Sequence, residues 1–334
     1  MTFESFCKVV WNLSYSQVSK SIVKKDYMQF KIPKKNGLRT ITFLPESAPL
    51  FVLQKNFNRY YLKKQELPVC AKGFVEGESY VSYLEPHVGK KFFLRMDIEN
   101  FFPSITSDII KETFSHLISF DSEEDKEKIL ELISNLCTYE DVLPQGVPTS
   151  PMLSNIIMTR IDQRITKYCQ ILGITYTRYA DDMLFSSEEF DFKTKKWFVK
   201  KIKYILSSMH FKINYGKLKY NQKEISLNGY VVSNSGVRLS RGRLTDIRKA
   251  LAFSRENHDL IKVNQSEFLR LANGINLEYR DLKVYPFNSI FQFVQFLIGY
   301  RAYLISFLKY DIEPGFRKKA ERLIRSIENQ VDFY

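Results

Sequence analysis

A chain of 334 residues is long enough to bury a large core and to hold two or three subdomains. Its formal net charge of +13, from 50 Lys and Arg against 37 Asp and Glu, indicates a polyanionic partner, nucleic acid before membrane. Four scattered cysteines without a C-x-x-C pair, together with four His, exclude a zinc framework and predict a reduced, cytoplasmic setting.

The N-terminal part predicts helices and one basic hairpin. Residues 1–30 have helical spacing, and residues 46–65 predict a second, basic helix. Between them, Asn36-Gly37 separates two β-prone runs, which is a strong hairpin signal. Lys35 and Arg39 lie in or beside this turn. A protruding basic hairpin is suited to contacting phosphates, and an ordinary solvated hairpin explains the pattern equally well.

The central part predicts a strand with an acidic end. Residues 91–97 alternate as a half-buried strand that ends at Asp97, and Asn100-Phe-Phe-Pro103 breaks it. A helix is expected at 127–138. The Pro-rich run 143–151 then predicts a constrained loop that leads into a helix from about 152 to 172.

Two adjacent aspartates follow in the run Tyr176–Phe185. Asp181 and Asp182 stand between short runs of strand-forming residues, which predicts a tight hairpin with both carboxylates at its tip. Adjacent carboxylates repel, so a bound cation explains the pair. A surface turn explains it as well, because Asp is a common turn residue.

The C-terminal part predicts a basic helix, short strands and a helical end. Residues 194–209 form an amphipathic helix with lysines along one side, and a strand is expected near 212–215. Residues 225–232 predict a hairpin that turns at 234–236. The chain is expected to be helical from about Arg241.

The most apolar run, 290–308, is interrupted by Gln292, Gln295 and Arg301. It predicts a buried helix rather than one that spans a membrane.

This order of elements predicts an α+β fold, in which helices back an antiparallel sheet. In such a sheet Asp97 can lie beside Asp181 and Asp182. Three carboxylates without His or Cys favour Mg²⁺, and two such ions support in-line phosphoryl transfer to a 3′-hydroxyl.

Three motifs together resemble the A, B and C motifs of reverse transcriptases, most closely those of the bacterial retron type. They are Leu94–Ile105, Leu143–Pro151 and Arg178–Asp182. The resemblance implies an RNA-directed DNA polymerase with a right-hand fold. It also implies N-terminal helices and fingers at 1–90, an antiparallel-sheet palm at 91–235 with finger insertions around 105–150, and a helical thumb at 236–334.

The resemblance also implies roles for single residues. Asp97, Asp181 and Asp182 are expected to bind two Mg²⁺ ions, with the carbonyl of Ile98 as a further ligand. The ring of Phe102 is expected to act as a steric gate that favours dNTPs over rNTPs. The nucleotide-binding residues are expected to be Lys35, Arg39, Asn100, Phe101, Phe102, Gln145 and Lys217, with Lys219 as a competitor for the role of Lys217.

Two marks of retron enzymes are incomplete in this chain. Tyr83-Leu-Glu-Pro-His87 keeps the His of Asn-Ala-x-x-His, and Leu227-Asn-Gly229 keeps the Gly of Val-Thr-Gly. A retron enzyme implies a structured non-coding RNA as template and primer, its DNA product, an operon-encoded effector protein, no membrane, and a role in antiphage defence. The alternatives are a defence-associated reverse transcriptase outside the retrons, with different priming, and a catalytically silent RNA-binding palm protein.

Overall fold

The computed structural model of the protein describes residues 1–22, 24–34, 37–310 and 312–332. The side chains of Lys25, Pro33, Lys34 and Arg39 lie outside this description. The chain forms two compact units. The first contains Met1–Tyr83, Leu94–Phe185 and Phe190–Tyr220, and the second contains Leu84–Phe93, Ser186–Glu189 and Asn221–Tyr334.

Helices provide most of the regular structure among the described residues. They are, in chain order, α1 (Phe3–Trp11), α2 (Tyr15–Ser21), α3 (Pro49–Tyr60), α4 (Tyr80–Leu84), α5 (Ser107–Ser115), α6 (Glu123–Cys137), α7 (Ser150–Ile171), α8 (Trp197–Ser207), α9 (Arg241–Asn257), α10 (Leu260–Val263), α11 (Gln265–Ala272), α12 (Ile290–Phe307) and α13 (Pro314–Val331).

The strands form three sheets. They are β1 (Met28–Lys34), β2 (Gly37–Phe43), β3 (Phe92–Asp97), β4 (Thr175–Tyr179), β5 (Asp182–Ser187), β6 (Lys219–Gln222), β7 (Glu224–Leu227), β8 (Tyr230–Ser233) and β9 (Gly236–Leu239). The first sheet pairs β1 with β2, the second has the order β4-β5-β3-β6, and the third has the order β7-β8-β9. This mixture of helices and antiparallel hairpins confirms the predicted α+β class.

The basic hairpin is confirmed at the level of its strands, which pair in antiparallel register from Met28 opposite Phe43 to Lys34 opposite Gly37. Lys35 and Asn36, at the predicted turn, lie outside the described residues.

The prediction for residues 212–215 was wrong, and the prediction for residues 225–236 was incomplete. The expected strand at 212–215 is a single bridge between Ile213 and Ile98, because the chain turns into a short 3-10 helix at Tyr215–Lys217. The expected hairpin that turns at 234–236 is confirmed as β8 and β9, and β7 extends it to a three-stranded meander through an additional turn at Asn228-Gly229. Both turn residues have positive φ, 49° and 87°, the conformation that favours Asn-Gly in tight hairpins.

Each unit has its own aromatic core. In the first unit, Phe57 of α3 packs between Phe6 of α1 and Phe114 of α5, with ring centroids 6.3 and 6.2 Å away. In the second unit, Phe293 of α12 packs edge-on against Phe268 of α11 at 5.4 Å. Edge-to-face aromatic contacts of this kind stabilise a core beyond the area that they bury.

Helix α12 is long and apolar enough to cross a membrane by length and composition, and it is the one such helix among the described residues. Only 28% of its residues are buried, so the prediction of a buried helix holds for one side. Next to this buried side, Arg301 forms an ion pair with Glu328 of α13 at 2.6 Å.

The two faces of the β4–β5 hairpin carry different elements. Phe185 stacks on Tyr176 at 4.9 Å and meets Phe198 of α8 at 5.2 Å, so this face lies under α8. Asp182 is three residues from Phe185 on β5. Since side chains alternate along a strand, Asp182 points to the opposite face. On that opposite face Tyr179 contacts Tyr83 at 5.9 Å.

Candidate active site

The tip of the β4–β5 hairpin is a two-residue turn that the preceding loop supports. Ala180 has a φ of 55°, in the left-handed region that tight hairpin turns require. Gly73 lies so close that an added Cβ would stand 2.5 Å from the Ala180 amide nitrogen. A glycine is therefore required at position 73 for the loop to press against the turn that carries the aspartates.

The third carboxylate lies beside this turn, as the sequence predicts. The amide of Ile98 donates a hydrogen bond of 3.0 Å to the carbonyl of Asp181. Asp97, at the end of β3, is 2% exposed. Carbonyl and amide groups of Asp97 and Glu99 join this strand end to Asn214 and Lys212, bonds that do not use the carbonyl of Ile98.

Arg95 holds Asp182 in a bidentate ion pair that was not predicted from the sequence. Its Nε and Nη2 atoms each donate a hydrogen bond of 2.8 Å, one to each carboxylate oxygen of Asp182. Burial raises the pKa of Asp182, and Arg95 opposes that rise. Because residues two apart share a strand face, the spacing from Arg95 to Asp97 could have indicated this partner.

Asp181 has no such cationic partner of its own. Burial and the nearby charges of Asp97 and Asp182 raise its pKa from 3.8 to about 6. The ammonium group of Lys217 lies 2.7 Å from Oδ2 of Asp97, so it contacts the carboxylate cluster directly. The site therefore holds more negative charge than its two cations balance.

This charge balance is relevant to metal binding. No group of three or more His, Cys, Asp or Glu side chains is arranged to hold an ion within the ranges that the structure describes. Asp182 and Asp97 are turned towards Arg95 and Lys217 instead. The hard oxygen donors and the unbalanced charge at Asp181 nevertheless fit a divalent cation.

The segment after β3 offers main-chain amides next to the carboxylates. Asn100 has a φ of 47°, and its carbonyl accepts a hydrogen bond of 2.9 Å from Ser104. Among the described residues the amides of Asn100 and Phe101 donate no hydrogen bond. Two unpaired amides in a sharp bend are suited to binding an anion.

Phe102 is half-buried at the start of a short 3-10 helix. Its ring lies 5.4 Å from that of Phe101 and 6.2 Å from that of Phe74. Phe74 also lies 6.5 Å from Tyr179, which precedes the aspartate turn. One aromatic cluster therefore joins the predicted gate to the hairpin.

Gln145 is half-buried in a turn that packs against the β1–β2 hairpin. Its neighbour Gly146 has a φ of 98°, and an added Cβ would lie 3.0 Å from Cγ2 of Ile41 in β2. The amide of Leu143 donates a hydrogen bond of 2.9 Å to the carbonyl of Ile105, three residues after Phe102. The loop is thus fixed between the basic hairpin and the predicted gate.

Of the two basic residues predicted in the hairpin, Lys35 lies outside the described residues. Arg39 lies in β2 opposite Ile32, and its side chain is not described. Their contact with a nucleotide stays a prediction.

Comparison with known proteins places this geometry in a family. The model of the family described as reverse transcriptase (RNA-dependent DNA polymerase) matches residues 19–232. The chain belongs to the reverse transcriptase family. It has the right-hand polymerase fold and the RNA-directed DNA polymerase activity of that family. In this family the polymerase activity depends on a divalent metal.

The chain is similar in sequence to several curated retron reverse transcriptases. The retron Ec86 reverse transcriptase of Escherichia coli is 30% identical over 228 residues, which are 66% of this chain and 68% of that protein. The retron Mx65 enzyme of Myxococcus xanthus is 30% identical over 49% of this chain and 41% of its own length. Among solved structures, telomerase from Candida albicans matches with a TM-score of 0.46 and 13% identity, over 91% of this chain and 63% of its own.

A fully buried ion pair supports the aspartate hairpin of this reverse transcriptase. Arg178 and Asp162 of α7 are both completely buried, with Nη2 and Oδ2 2.7 Å apart. Arg178 also donates hydrogen bonds of 3.0 Å to the carbonyl of Ala180 and to the side chain of Asn155. Asn155 in turn donates one of 2.7 Å to the carbonyl of Gly73.

This network was not predicted, because nothing in the spacing along the chain relates α7 to the hairpin. Burial alone would lower the pKa of Arg178, but Asp162 raises it, so the guanidinium stays charged.

His87 and Gly229, the residues that the chain keeps from the two retron marks, have structural roles. His87 is fully buried, its Nδ1 lies 2.6 Å from Oγ of Ser186, and burial lowers its pKa to about 3. Gly229 has a φ of 87°, and an added Cβ would stand 2.5 Å from Nε of Arg243. The positive φ is the reason that position 229 favours glycine, and the side chain of Arg243 lies against it.

Proposed function

We propose that this reverse transcriptase copies part of a structured partner RNA into DNA, as a retron component in antiphage defence. The observation that carries the proposal is the hydrogen bond of 3.0 Å from Ile98 to Asp181, because it joins the strand of Asp97 to the turn of Asp181 and Asp182. The proposed substrates are dNTPs, and the proposed location is the cytoplasm. The four cysteines of the protein are buried and form no disulfide, which fits a reducing compartment such as the cytoplasm.

Asp97, Asp181 and Asp182, with the carbonyl of Ile98, are the proposed ligands of two Mg²⁺ ions. Such ions activate a 3′-hydroxyl and stabilise the leaving pyrophosphate when bound. Arg95 fixes the orientation of Asp182, and the ammonium of Lys217 balances part of the charge of Asp97 until substrate is bound. Release of Lys217 from Asp97 would place a cation next to the triphosphate.

The nucleotide is proposed to bind between the bend after β3 and the loop of Gln145. The unpaired amides of Asn100 and Phe101 would receive its phosphates, together with Lys35 and Arg39 of the basic hairpin. Gln145 would contact the incoming nucleotide. The proposed lobes are fingers at 1–90, palm at 91–235 and thumb at 236–334.

Replacing Phe102 with Ala is expected to raise incorporation of rNTPs relative to dNTPs by roughly tenfold to a hundredfold, because a clash with the ribose 2′-hydroxyl is removed. Single-nucleotide primer extension with each substrate measures the ratio. Phe74→Leu is the control, since it changes a ring 6.2 Å from Phe102 while the gate remains. An unchanged ratio in Phe102→Ala would place the gate elsewhere.

The retron relatives support a dedicated non-coding RNA as template and primer. The net charge of +13 supports tight binding of a polyanion. An effector protein encoded in the same operon is part of the proposal, since antiphage defence needs a response beyond DNA synthesis.

Purification of the protein from its native operon, followed by sequencing of the bound RNA and any attached DNA, tests this function. We expect one enriched RNA joined to DNA complementary to part of it. DNA copied from one RNA but started from a free or protein-bound primer would favour a defence enzyme outside the retrons. Bound RNA without any DNA, together with no primer extension, would favour a silent RNA-binding protein.

A further inference from the structure

The exposed sides of the neighbouring helices α7 and α8, with Lys196 just before α8, are rich in cations. This surface, called the basic face, consists of Arg160, Lys167, Lys196, Lys200, Lys201 and Lys203, all exposed. Helix α8 contains no acidic residue, and the acidic residue of α7, Asp162, is buried against Arg178. Nη1 of Arg164 donates a hydrogen bond of 2.9 Å to Oγ of Ser208, which joins the two helices at one end.

None of the ion pairs in the described part of the chain contains a cation of the basic face. Glu112 of α5 is the one acidic residue that lines the cleft between α7 and the end of α8. A surface with this many unpaired like charges repels itself, and a polyanion would relieve that repulsion.

Aromatic rings are interleaved with these cations. The side chains of Trp197 and Tyr204 are 47% and 65% exposed, although both are large and apolar. Nζ of Lys201 lies 5.7 Å from the ring centre of Tyr168 and 5.3 Å from that of Tyr204. Exposed rings next to lysines are suited to stacking unpaired bases while the lysines contact phosphates.

The basic face lies on the far side of the hairpin from Asp182. Phe198 of α8 packs on Phe185, whose side chain points away from the face of Asp182. A template–primer duplex bound at the aspartates would therefore lie on the other side of the hairpin from α8. A longer strand that continues around the unit can reach α8.

We propose that the basic face is a second RNA-binding surface, which holds single-stranded segments of the partner RNA outside the catalytic site. This goes beyond the proposed function, which concerns the strand at the aspartates. Charge complementarity alone would also fit an acidic protein. The exposed rings favour RNA, because bases stack on them and acidic side chains do not. The partner RNA, unlike the DNA, is present before synthesis begins.

Tryptophan fluorescence can report binding at the basic face, because the indole of Trp197 is exposed there and the other tryptophan, Trp11, is buried. We expect oligouridylate of 60 nucleotides to quench the tryptophan emission of the wild-type protein, and Trp197→Phe to lose most of that quenching. The triple variant Lys196→Gln/Lys200→Gln/Lys203→Gln should bind this RNA roughly tenfold more weakly. The slope of the logarithm of its binding constant against the logarithm of salt concentration should be smaller in magnitude by about two. Each phosphate contact on a single strand contributes about 0.7 to this slope, and the variant loses three lysines.

The matched control is Lys8→Gln/Lys20→Gln/Lys55→Gln, which removes three exposed lysines of α1, α2 and α3 and the same total charge. It should bind the RNA like the wild type. Circular dichroism melting curves of each variant serve as the check that it is folded. Because the assay measures binding alone, it reports on the basic face whether or not the protein extends a primer.

Three results would overturn the proposal. The first is equal loss of binding in both triple variants, which would indicate a general charge effect. The second is quenching by polyglutamate as strong as by the RNA, which would indicate an acidic protein partner. The third is quenching by oligothymidylate of 60 nucleotides without quenching by oligouridylate, which would indicate the DNA product.

Discussion

Asp181→Asn is expected to abolish primer extension and also to stabilise the protein in the absence of metal. The activity should fall by about three orders of magnitude or more, because an amide is a poor ligand for the divalent cation proposed to bind at this cluster. The stabilisation follows from the pKa of about 6, which shows that the folded protein disfavours the ionised carboxylate.

The stability effect should depend on pH in a defined window. The folded protein binds the proton of Asp181 more tightly than the unfolded chain does, so the free energy of unfolding of the wild type falls as pH rises from about 4 to about 6. In Asp181→Asn the free energy of unfolding should not show this fall, because the amide does not titrate. In EDTA, the variant should be more stable by roughly 1–3 kcal/mol above pH 6 and nearly equal to the wild type at pH 4.

Thermal melts between pH 4 and 8 measure this difference, with and without Mg²⁺. Added Mg²⁺ should stabilise the wild type more than the variant. Glu127→Gln, which alters an exposed carboxylate on α6, should leave activity and the pH profile unchanged. Parallel pH profiles for wild type and Asp181→Asn would show that Asp181 is not destabilised by its surroundings, and full extension by the variant would remove it from the catalytic set.

Arg178→Met is expected to lower the free energy of unfolding by about 3–5 kcal/mol, because Asp162 would be left buried without its counter-charge. The change would also free the carbonyl of Ala180 and the side chain of Asn155, which position the aspartate turn. Urea unfolding and primer extension measure the two effects separately.

The double variant Arg178→Met/Asp162→Leu separates charge from positioning. It should recover part of the lost stability, because no unpaired charge stays buried, while extension remains impaired. Lys63→Met is the matched control, since its partner Glu76 is 88% exposed and their ion pair should contribute less than about 1 kcal/mol. A loss in Arg178→Met no larger than that of Lys63→Met would contradict the role of the buried pair.

The three aspartates differ in the charged groups that surround them. Without bound ions, adjacent carboxylates must find other partners or stay protonated. Asp182 pairs with Arg95, Asp97 pairs with Lys217, and Asp181 has a raised pKa. Binding of substrate and metal would exchange these partners within the same cluster.

The sequence by itself determined the strands that carry the three proposed carboxylates. The strand that ends at Asp97 and the hairpin of Asp181 and Asp182 both follow from local spacing and turn chemistry. The α+β class followed from the order of these elements. The three motifs identified the family, because each is short and contiguous in the chain.

Only the tertiary structure decided how these pieces are held. Arg178 and Asp162 lie sixteen residues apart on a strand and a helix, and their pairing depends on how α7 crosses the hairpin. The need for Gly73 comes from a close approach to Ala180, far along the chain. The side of the hairpin on which α8 packs likewise sets where its lysines lie. Such contacts arise from packing between distant segments, which no local pattern of residues records.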